Sequence, residues 1–474
     1  MKNFWKGVGK ALVFCGPAVF CVIGFSFLEG ESLINALFNC VSMYVLNYSD
    51  PPVNLFVELA RWTAPLATAG GVFLAVSALQ ERARNALRYR RGNSVAVYGP
   101  QGAKEALLSQ LGAQGIEGKE ELVPACRYIL LGDEEENFDF YFRNRAALKG
   151  RTVYLQSRAA PAQTADPALR LFCSEETAAR LFWKQRPLFS AVQQNPRLKI
   201  VFLGFGALGE QLLYYGLLDN IFRPDQRLEY HIFGDGKRFS AIRSQLDQLE
   251  DKIVFHPDPW YDCLELLEEA QTVIVLEQKN QLALLQDLLL ACRRPLFHVF
   301  AASNATQLLD GQNRLSLFDW KNQACQAEHI LGDSLFDKAQ RVNLRYAHLY
   351  SGIAETPENK MAEWNKLDAF TRYSNVSAAD YHEIRLQMLE TLGLPQQPES
   401  WPPETMELLA QLEHIRWQRY HYLHNWQYGR PETGAKDPVR RIHINLLPYD
   451  QLSEADKEKD RDNIRLLLSL QSNL

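Results

Sequence analysis

Three glycines in the middle of the chain have the spacing of a phosphate-binding turn. They occur as Gly204-x-Gly206-x-x-Gly209, directly after the apolar run "LKIVFL" and before the helix-forming run "EQLLYYGLL". In such a turn the first glycine makes the bend, the second lets a pyrophosphate approach the backbone, and the third allows close helix packing. The helix start supplies amide hydrogens and a positive dipole. The alternative is that the glycines only permit close contact between a strand and a helix.

An acidic residue follows this turn at the end of the next strand-like run, "EYHIFG". That residue is Asp235, and a carboxylate there is suited to the hydroxyls of a ribose, although its distance along the chain is somewhat long. The three glycines and Asp235 together predict a site for NAD or a related nucleotide. Lys237 and Arg238 just beyond it either meet a phosphate or are simply solvated.

No set of reactive residues accompanies the glycine turn. The sequence has no H-E-x-x-H, G-x-S-x-G or P-loop motif, and its eight cysteines are scattered, which indicates free thiols and no metal site. His256 and His298 lie near the ends of predicted strands, where a lone histidine is more often structural than catalytic. We therefore predict that the chain is not an enzyme, and keep a membrane-anchored NAD(P)-dependent oxidoreductase as the alternative.

The elements around the turn indicate two α/β domains. Short apolar runs such as "SVAVYG", "YILLG" and "TVYLQS" alternate with helical segments over residues 93–190, and predict a first Rossmann-like domain. Residues 191–310 contain the glycine turn and the runs "KIVFH", "TVIVLE" and "LFHVFA", and predict a second one with a parallel sheet covered by helices. Strand signals fade after about residue 310, so residues 311–400 and 401–474 are predicted to be mostly helical, separated by the proline-rich linker 393–405.

The N-terminal region, residues 1–92, predicts a transmembrane helical hairpin. Two uncharged runs, 11–28 and 62–79, are each 18 residues long, near the minimum of about 17 residues for a membrane span. A signal peptide is the alternative for the first run. Basic residues flank the pair on its outer sides, so the positive-inside rule predicts that both termini are cytoplasmic. Between the runs, Ser32 is placed to cap a short helix from Leu33 to about Leu46, either pore-lining or lying on the membrane surface.

Composition narrows the class of partner. The formal net charge is −5 and the pI is about 6.1, which argues against nucleic-acid binding because phosphate neutralisation needs a basic surface. The membrane bilayer and a small nucleotide-type ligand are the predicted partners. Two helices cannot enclose a pore alone, so a channel would require a homo-oligomer, and we favour a tetramer.

A membrane hairpin followed by a domain carrying "GFGALG" resembles the TrkA-N type, the NAD-binding domain that regulates potassium conductance. The resemblance covers residues 11 to about 305 and implies that nucleotide binding rearranges ring-forming domains and controls an ion pathway. The chain lacks the Thr-Val-Gly-Tyr-Gly filter, which leaves potassium selectivity unsupported.

The C-terminal segment resembles the ryanodine-receptor (RyR) repeat domain. The similarity is carried by "LEHIRWQRYHYLHNWQYG" and "LLPYDQLSEADKEKDRDNIR", with Asn425 where glycine is usual. Aromatic faces stack on bases and arginines bind phosphates, so the segment is predicted to hold a nucleotide-like ligand, unless its aromatic residues are the core of a small domain and Arg461 forms a structural ion pair. The predicted pocket residues are Glu413, Arg416, Trp417, Trp426, Tyr428, Gly429, Tyr449 and Arg461.

Taken together, these patterns predict a nucleotide-gated ion channel or membrane effector of the bacterial inner membrane. The resemblance to bacterial RyR-repeat proteins implies a role in nucleotide signalling and anti-phage defence. A non-enzymatic membrane scaffold that recruits a partner through the C-terminal repeat is a further alternative.

Overall fold

The computed structural model describes the following residues: 15–48, 51–158, 168–277, 279–301, 314–332, 334–395 and 397–469. The chain divides into two units, Met1–Ser94 and Val95–Leu474. Residues 1–14, with the start of the predicted first membrane helix and the lysines before it, lie outside the described part.

The described part of the first unit contains three helices: α1 (Cys15–Leu28), α2 (Leu33–Tyr44) and α3 (Leu55–Arg90). The predicted cap of α2 is confirmed, because the Ser32 hydroxyl accepts a hydrogen bond from the Asn35 backbone N–H at 3.3 Å. Asn54 caps α3 in the same way through the Val57 N–H at 3.0 Å. Polar side chains therefore set the starts of both helices.

Among the described residues, only α3 is long and apolar enough to cross a membrane, with 36 residues and a mean hydropathy of 1.5 in its most apolar window. The described part of α1 is shorter. Core helices of soluble proteins and signal sequences also meet this length criterion. The structure therefore shows one candidate span, and the two-helix hairpin stays a prediction.

Close packing holds the first unit together. A Cβ atom on Gly24 of α1 would lie 2.5 Å from the Val57 side chain of α3, so only glycine fits there. Ala60 and Ala64 continue the buried face of α3. Many large apolar side chains of this unit are nevertheless exposed, including Phe38 and Trp62. The described residues of the unit leave this apolar surface uncovered.

The second unit starts with a five-stranded parallel sheet in the order β2-β1-β3-β4-β5. This is the flavodoxin-like order of a doubly wound sheet. Helices α4 (Gln101–Leu111) and α5 (Glu134–Leu148) cover its two faces. The strands are β1 (Val95–Tyr98), β2 (Gly115–Glu117), β3 (Arg127–Leu130), β4 (Thr152–Gln156) and β5 (Leu169–Phe172).

A six-stranded parallel sheet follows, in the order β11-β10-β9-β6-β7-β8. Counted within the domain this is 6-5-4-1-2-3, the order of the Rossmann fold. Helices α6 (Ser174–Gln185) and α8 (Gly206–Asp219) pack on one face, and α10 (Leu264–Glu269) and α11 (Gln281–Ala291) on the other. Two further short helices are α7 (Phe189–Gln194) and α9 (Lys237–Ala241). The strands are β6 (Lys199–Leu203), β7 (Glu229–Phe233), β8 (Lys252–Phe255), β9 (Thr272–Val275), β10 (Leu296–Phe300) and β11 (Leu315–Phe318).

The rest of the second unit is mostly helical, as predicted. Three two-residue strands form a small sheet in the order β12-β14-β13: Gln427–Tyr428, Ile442–His443 and Lys436–Asp437. The helices are α12 (Trp320–Ala324), α13 (Ala327–Leu331), α14 (Ser334–Ser351), α15 (Pro357–Lys366), α16 (Ala369–Thr391), α17 (Pro403–Leu423) and α18 (Glu454–Ser469).

One hydrophobic core joins this helical region to the second sheet. Phe202 and Tyr230 of the sheet belong to the same buried cluster as Tyr381 of α16 and Tyr420 of α17. Buried ion pairs cross the same boundary, since Asp380 of α16 contacts both Arg180 and Lys184 of α6. The sheet and the C-terminal helices thus share an interior.

Candidate functional site

The glycine turn has the backbone geometry that its spacing predicts. Gly204 has φ +89°, and a Cβ atom on it would lie 2.9 Å from the backbone nitrogen of Glu277 in the neighbouring loop. Gly206 begins α8 with φ +59°, and apart from its chain neighbours and its own helix backbone no described atom lies within 4 Å of the position its Cβ would take. Gly209 faces Phe205, whose ring would be 2.7 Å from an added Cβ. Two of the glycines are thus needed for packing, whereas Gly206 leaves open space at a helix start.

A cavity of 1180 Å³ opens at the carboxyl ends of β6 to β9. This is the edge at which open α/β sheets hold their ligands, next to the point where the strand order reverses. Its lining includes Gly204 and Asp235, so the structure brings the start of the turn and the predicted ribose-binding acid to one cavity. Gly206 and Gly209 are not part of that lining.

Asp235 is exposed in the cavity, and its Oδ1 accepts a hydrogen bond from the Lys237 backbone N–H at 3.1 Å. The second carboxylate oxygen has no hydrogen bond in the described part of the chain. Of the two cations next to it, Arg238 pairs with Glu210 of α8 at 3.2 Å and lies outside the lining, whereas Lys237 lines the cavity. Lys237 is therefore the one placed to meet a phosphate of a ligand there.

A hydrogen-bonded chain of side chains reaches the same cavity. Glu229 Oε2 is 3.1 Å from His231 Nε2, and His231 Nδ1 is 3.0 Å from Nε2 of His256, which lines the cavity. Burial lowers the pKa of both histidines below the ordinary value, which favours neutral rings. Sequence reasoning treated His256 as isolated. The sequence signal that could have indicated this hydrogen-bonded chain is the pair Glu229 and His231, because residues two apart share one face of a strand.

His298, the other candidate for proton transfer, lies elsewhere. Its ring is buried edge-on against Phe182 with a centroid distance of 5.2 Å, and burial lowers its pKa to about 3. It is absent from the lining of the cavity at the glycine turn. Only His256 is positioned to face a ligand there.

The predicted RyR-type pocket residues divide into buried and exposed groups. Glu413 and Arg416 are buried and paired at 2.7 Å, and Arg385 and Asn463 also donate hydrogen bonds to Glu413, at 2.8 and 2.7 Å. Burial alone would raise the pKa of Glu413, but Arg416 and Arg385 offset this and lower it. This cluster ties α16, α17 and α18 together, which is a structural role.

The aromatic residues of that segment mostly pack inside it. Trp426 is buried and stacks on Phe370 with a centroid distance of 5.2 Å, and Tyr449 is buried as well. Trp417 is partly exposed among three histidines, stacking on His414 at 5.6 Å. An added Cβ on Gly429 would lie 3.1 Å from the Ile442 side chain. The aromatic core that sequence analysis left as the alternative is therefore present.

Two polar or charged members remain near the surface. Tyr428 is 46% exposed. Arg461 is paired with Glu407 at 2.8 Å, Glu458 at 2.9 Å and Glu454 at 3.3 Å, and not with Glu413. None of the eight predicted residues lines the cavity at the glycine turn. A ligand in the C-terminal segment stays a prediction.

Asn425 connects the C-terminal segment to the second α/β domain. Its side-chain oxygen accepts hydrogen bonds from the backbone N–H and the hydroxyl of Ser244, at 2.7 and 3.3 Å, and its amide donates to the Ile242 carbonyl at 2.8 Å. Its φ is +63°, which explains why glycine also suits this position. Helix α9, which contributes Lys237 to the cavity, directly precedes Ile242.

No protein-family model matches the chain, and no curated protein shows significant similarity to it. The class of protein that the fold and the site define is an α/β protein with two Rossmann-like parallel sheets.

Proposed function

We propose that the second α/β domain binds a nucleotide of the NAD type at the cavity beside the glycine turn. The observation that carries this is the open space at Gly206, where a left-handed glycine begins the 14-residue helix α8. The free backbone N–H groups and the dipole of such a helix start favour a phosphate. Asp235 would accept hydrogen bonds from the ribose and Lys237 would lie near the phosphates.

Replacing Gly206 by asparagine tests this site. Asparagine tolerates a positive φ better than other non-glycine residues, so the turn should persist while the side chain fills the phosphate space. We expect calorimetric titration of the detergent-solubilised full chain with NAD⁺ or ADP-ribose to show at least about a tenfold loss of affinity.

Gly150→Asn is the matched control. Gly150 also has a positive φ, of +74°, and open space around its Cβ position, but it lies outside the cavity. Equal affinity of the Gly206→Asn and Gly150→Asn variants, both folded, would show that the glycine turn is purely structural.

We further propose that the first unit places the chain in the bacterial inner membrane, with both termini cytoplasmic. The support is the apolar helix α3 and the exposed apolar side chains around it, which water solvates poorly. In this proposal the protein is a homo-oligomer, with a tetramer favoured, that acts as an ion channel or membrane effector controlled by a nucleotide. The ligand changes an equilibrium between assemblies by binding one of them more tightly.

Reconstitution into liposomes tests the membrane role. We expect an ion flux that rises on addition of a nucleotide and that the Gly206→Asn variant no longer shows. Absence of any nucleotide-dependent flux, in liposomes that contain folded and nucleotide-binding protein, would contradict a channel and leave a membrane-anchored scaffold.

One observation favours an enzyme as the second candidate. His256 reaches the cavity and is joined to His231 and Glu229, an arrangement suited to moving a proton. An NAD(P)-dependent oxidoreductase of this kind would turn over NADH, and His256→Gln would remove that turnover. Binding without turnover, in the presence of candidate carbonyl substrates, would favour the receptor.

A further inference from the structure

A second cavity, of 860 Å³, lies on the other side of the glycine turn. From the second α/β domain it is lined by Phe205, Ala207, Leu208 and Leu276. From the first α/β domain come two loops at the carboxyl ends of β3 and β4, residues 132–136 and 156–158. We call this cavity the interdomain cleft.

Residues of the glycine turn are divided between the linings of the two cavities. Leu203 and Gly204 line the first cavity, and Phe205 begins the lining of the cleft. Gly206, which lines neither, lies at the helix start between Phe205 and Ala207 of the cleft lining, and two residues after Gly204 of the first cavity. A pyrophosphate at Gly206 would therefore adjoin both linings, which matches a molecule with two nucleoside halves.

The cleft is acidic. Within the described part of the chain its seven charged lining residues are Asp133, Glu134, Glu135, Glu136, Glu175, Arg158 and Lys321. Five are carboxylates and two are cations, a formal excess of three negative charges. Some of these are engaged, since Glu134 accepts a hydrogen bond from the Ser157 hydroxyl at 2.8 Å. Glu135 and Glu136 are exposed to the solvent.

An aromatic residue completes the cleft. Trp320 lines it and is only 7% exposed, yet its indole N–H has no hydrogen-bond partner within the described ranges. The Lys321 ammonium lies 5.5 Å from the centre of the Trp320 ring. The ring face thus accommodates a cation, and the N–H is an unused donor.

We propose that the interdomain cleft binds the second nucleoside of a dinucleotide and selects a positively charged ring. This rests on the proposed nucleotide site at Gly206. The oxidised nicotinamide ring is a pyridinium cation, and its carboxamide oxygen is an acceptor of the kind that the buried indole N–H of Trp320 lacks. Reduced nicotinamide is neutral and gains nothing from the carboxylates. The first α/β domain therefore makes the site respond to the oxidation state of the ligand, with NAD⁺ bound more tightly than NADH.

The double variant Glu135→Gln, Glu136→Gln tests the inference. Both side chains are exposed, so the fold should tolerate the change, while two charges are removed from the cleft. The quantities to be measured are the affinities of AMP, NAD⁺ and NADH for the detergent-solubilised full chain, by calorimetry. The expected result is a loss of NAD⁺ affinity of about fivefold or more, with AMP and NADH affinities little changed.

Glu120→Gln, an exposed carboxylate outside the cleft, is the matched control and should leave all three affinities as they are. If the double variant weakens AMP and NAD⁺ equally, or leaves the ratio of NAD⁺ to NADH affinity unchanged, the role of the cleft is overturned while nucleotide binding at Gly206 stands. If the wild-type protein binds none of the three, both proposals fail.

Discussion

At the scale of single residues, Asn425 explains an irregularity of the sequence. Family resemblance leads to the expectation of glycine at this position, and sequence alone offers no reason for asparagine. The structure supplies the reason, because the side chain bonds to Ser244 and Ile242, about 180 residues earlier in the chain. A partner so distant along the chain is invisible to any local pattern.

Replacing Asn425 by glycine distinguishes the contribution of the side chain to stability from that of the backbone conformation. Glycine keeps the positive φ but removes three hydrogen bonds. Each is worth about 0.5–1.5 kcal/mol, partly offset by the relief of the left-handed backbone. We expect the free energy of unfolding, measured by urea titration with tryptophan fluorescence, to fall by about 1 kcal/mol.

Asn425→Ala is the comparison for that variant, because it loses the same bonds and keeps the unfavourable φ. It should be less stable than Asn425→Gly by about 1 kcal/mol. A glycine variant as stable as the wild type would show that the contact with Ser244 contributes nothing.

In the candidate site, too, only contacts between residues close together in the sequence could be predicted. The glycine turn and Asp235 could be predicted because each is local and follows a recognisable strand. His231 as the partner of His256, and Arg385 as the partner of Glu413, could not, because tertiary packing brings them together across 25 and 28 residues. Pairing makes Glu413 an internal counter-ion of Arg416 and Arg385, and its predicted contact with a ligand stays a prediction.

At the scale of elements, eight of the eleven described strands in the two large sheets are predicted close to their observed bounds, and three are missed. The missed strands are Gly115–Glu117, Leu169–Phe172 and Leu315–Phe318. All three lie at sheet edges, as the strand orders show. Edge strands have one neighbour and less buried surface, so their sequences lack the long apolar runs of central parallel strands.

Helix α17 and its surroundings give the protein a sensitivity to acid. Burial lowers the pKa of His421 to about 3 and those of His424 and His443 to about 4, against an ordinary value of 6.5. Below pH 6.5 these histidines therefore become protonated in the unfolded chain but stay neutral in the folded chain. The stability that is present above that pH is lost as the pH falls from 6.5 towards 4. The loss is at most about 1.4 kcal/mol per pH unit for each histidine.

Urea unfolding at pH 7.5, 6.5 and 5.5 checks this expectation. The His421→Gln variant should show a weaker decline of stability between pH 6.5 and 5.5 than the wild type. His348→Gln, which changes a side chain that is 44% exposed, is the control and should decline like the wild type. Parallel declines in all three proteins would exclude His421 as a source of the acid sensitivity.

At the scale of the whole molecule, buried charges join parts of the second unit that sequence analysis separated. Arg419 of α17 is buried, and it pairs at 2.5 Å with Asp251, whose side chain is fully buried in the second α/β domain. Asp251 also accepts a hydrogen bond from the Leu228 N–H at 3.0 Å. Boundaries drawn from composition at residues 310 and 400 stay predictions, and this pair crosses both of them.

A double-mutant cycle on this pair measures the connection. Arg419→Met leaves a buried carboxylate unpaired and should lower the free energy of unfolding by about 3–5 kcal/mol. Asp251→Asn retains the acceptor for Leu228 but leaves the guanidinium only its longer pair with Glu250, at 3.4 Å, so its cost should be smaller. The double variant should lose less than the sum of the two, as determined by urea unfolding. Strictly additive losses would mean that the two side chains do not interact.

The shared interior bears on how such a protein can be rebuilt. A C-terminal helical region whose buried arginine pairs with a carboxylate of another domain cannot be transferred to another protein without loss of that pair. Grafted onto an unrelated protein it would carry an unpaired cation and an uncovered apolar face, and the domain left behind would carry an unpaired Asp251. Chimeras of this chain should therefore be joined before residue 95, where one of its two units ends and the other begins.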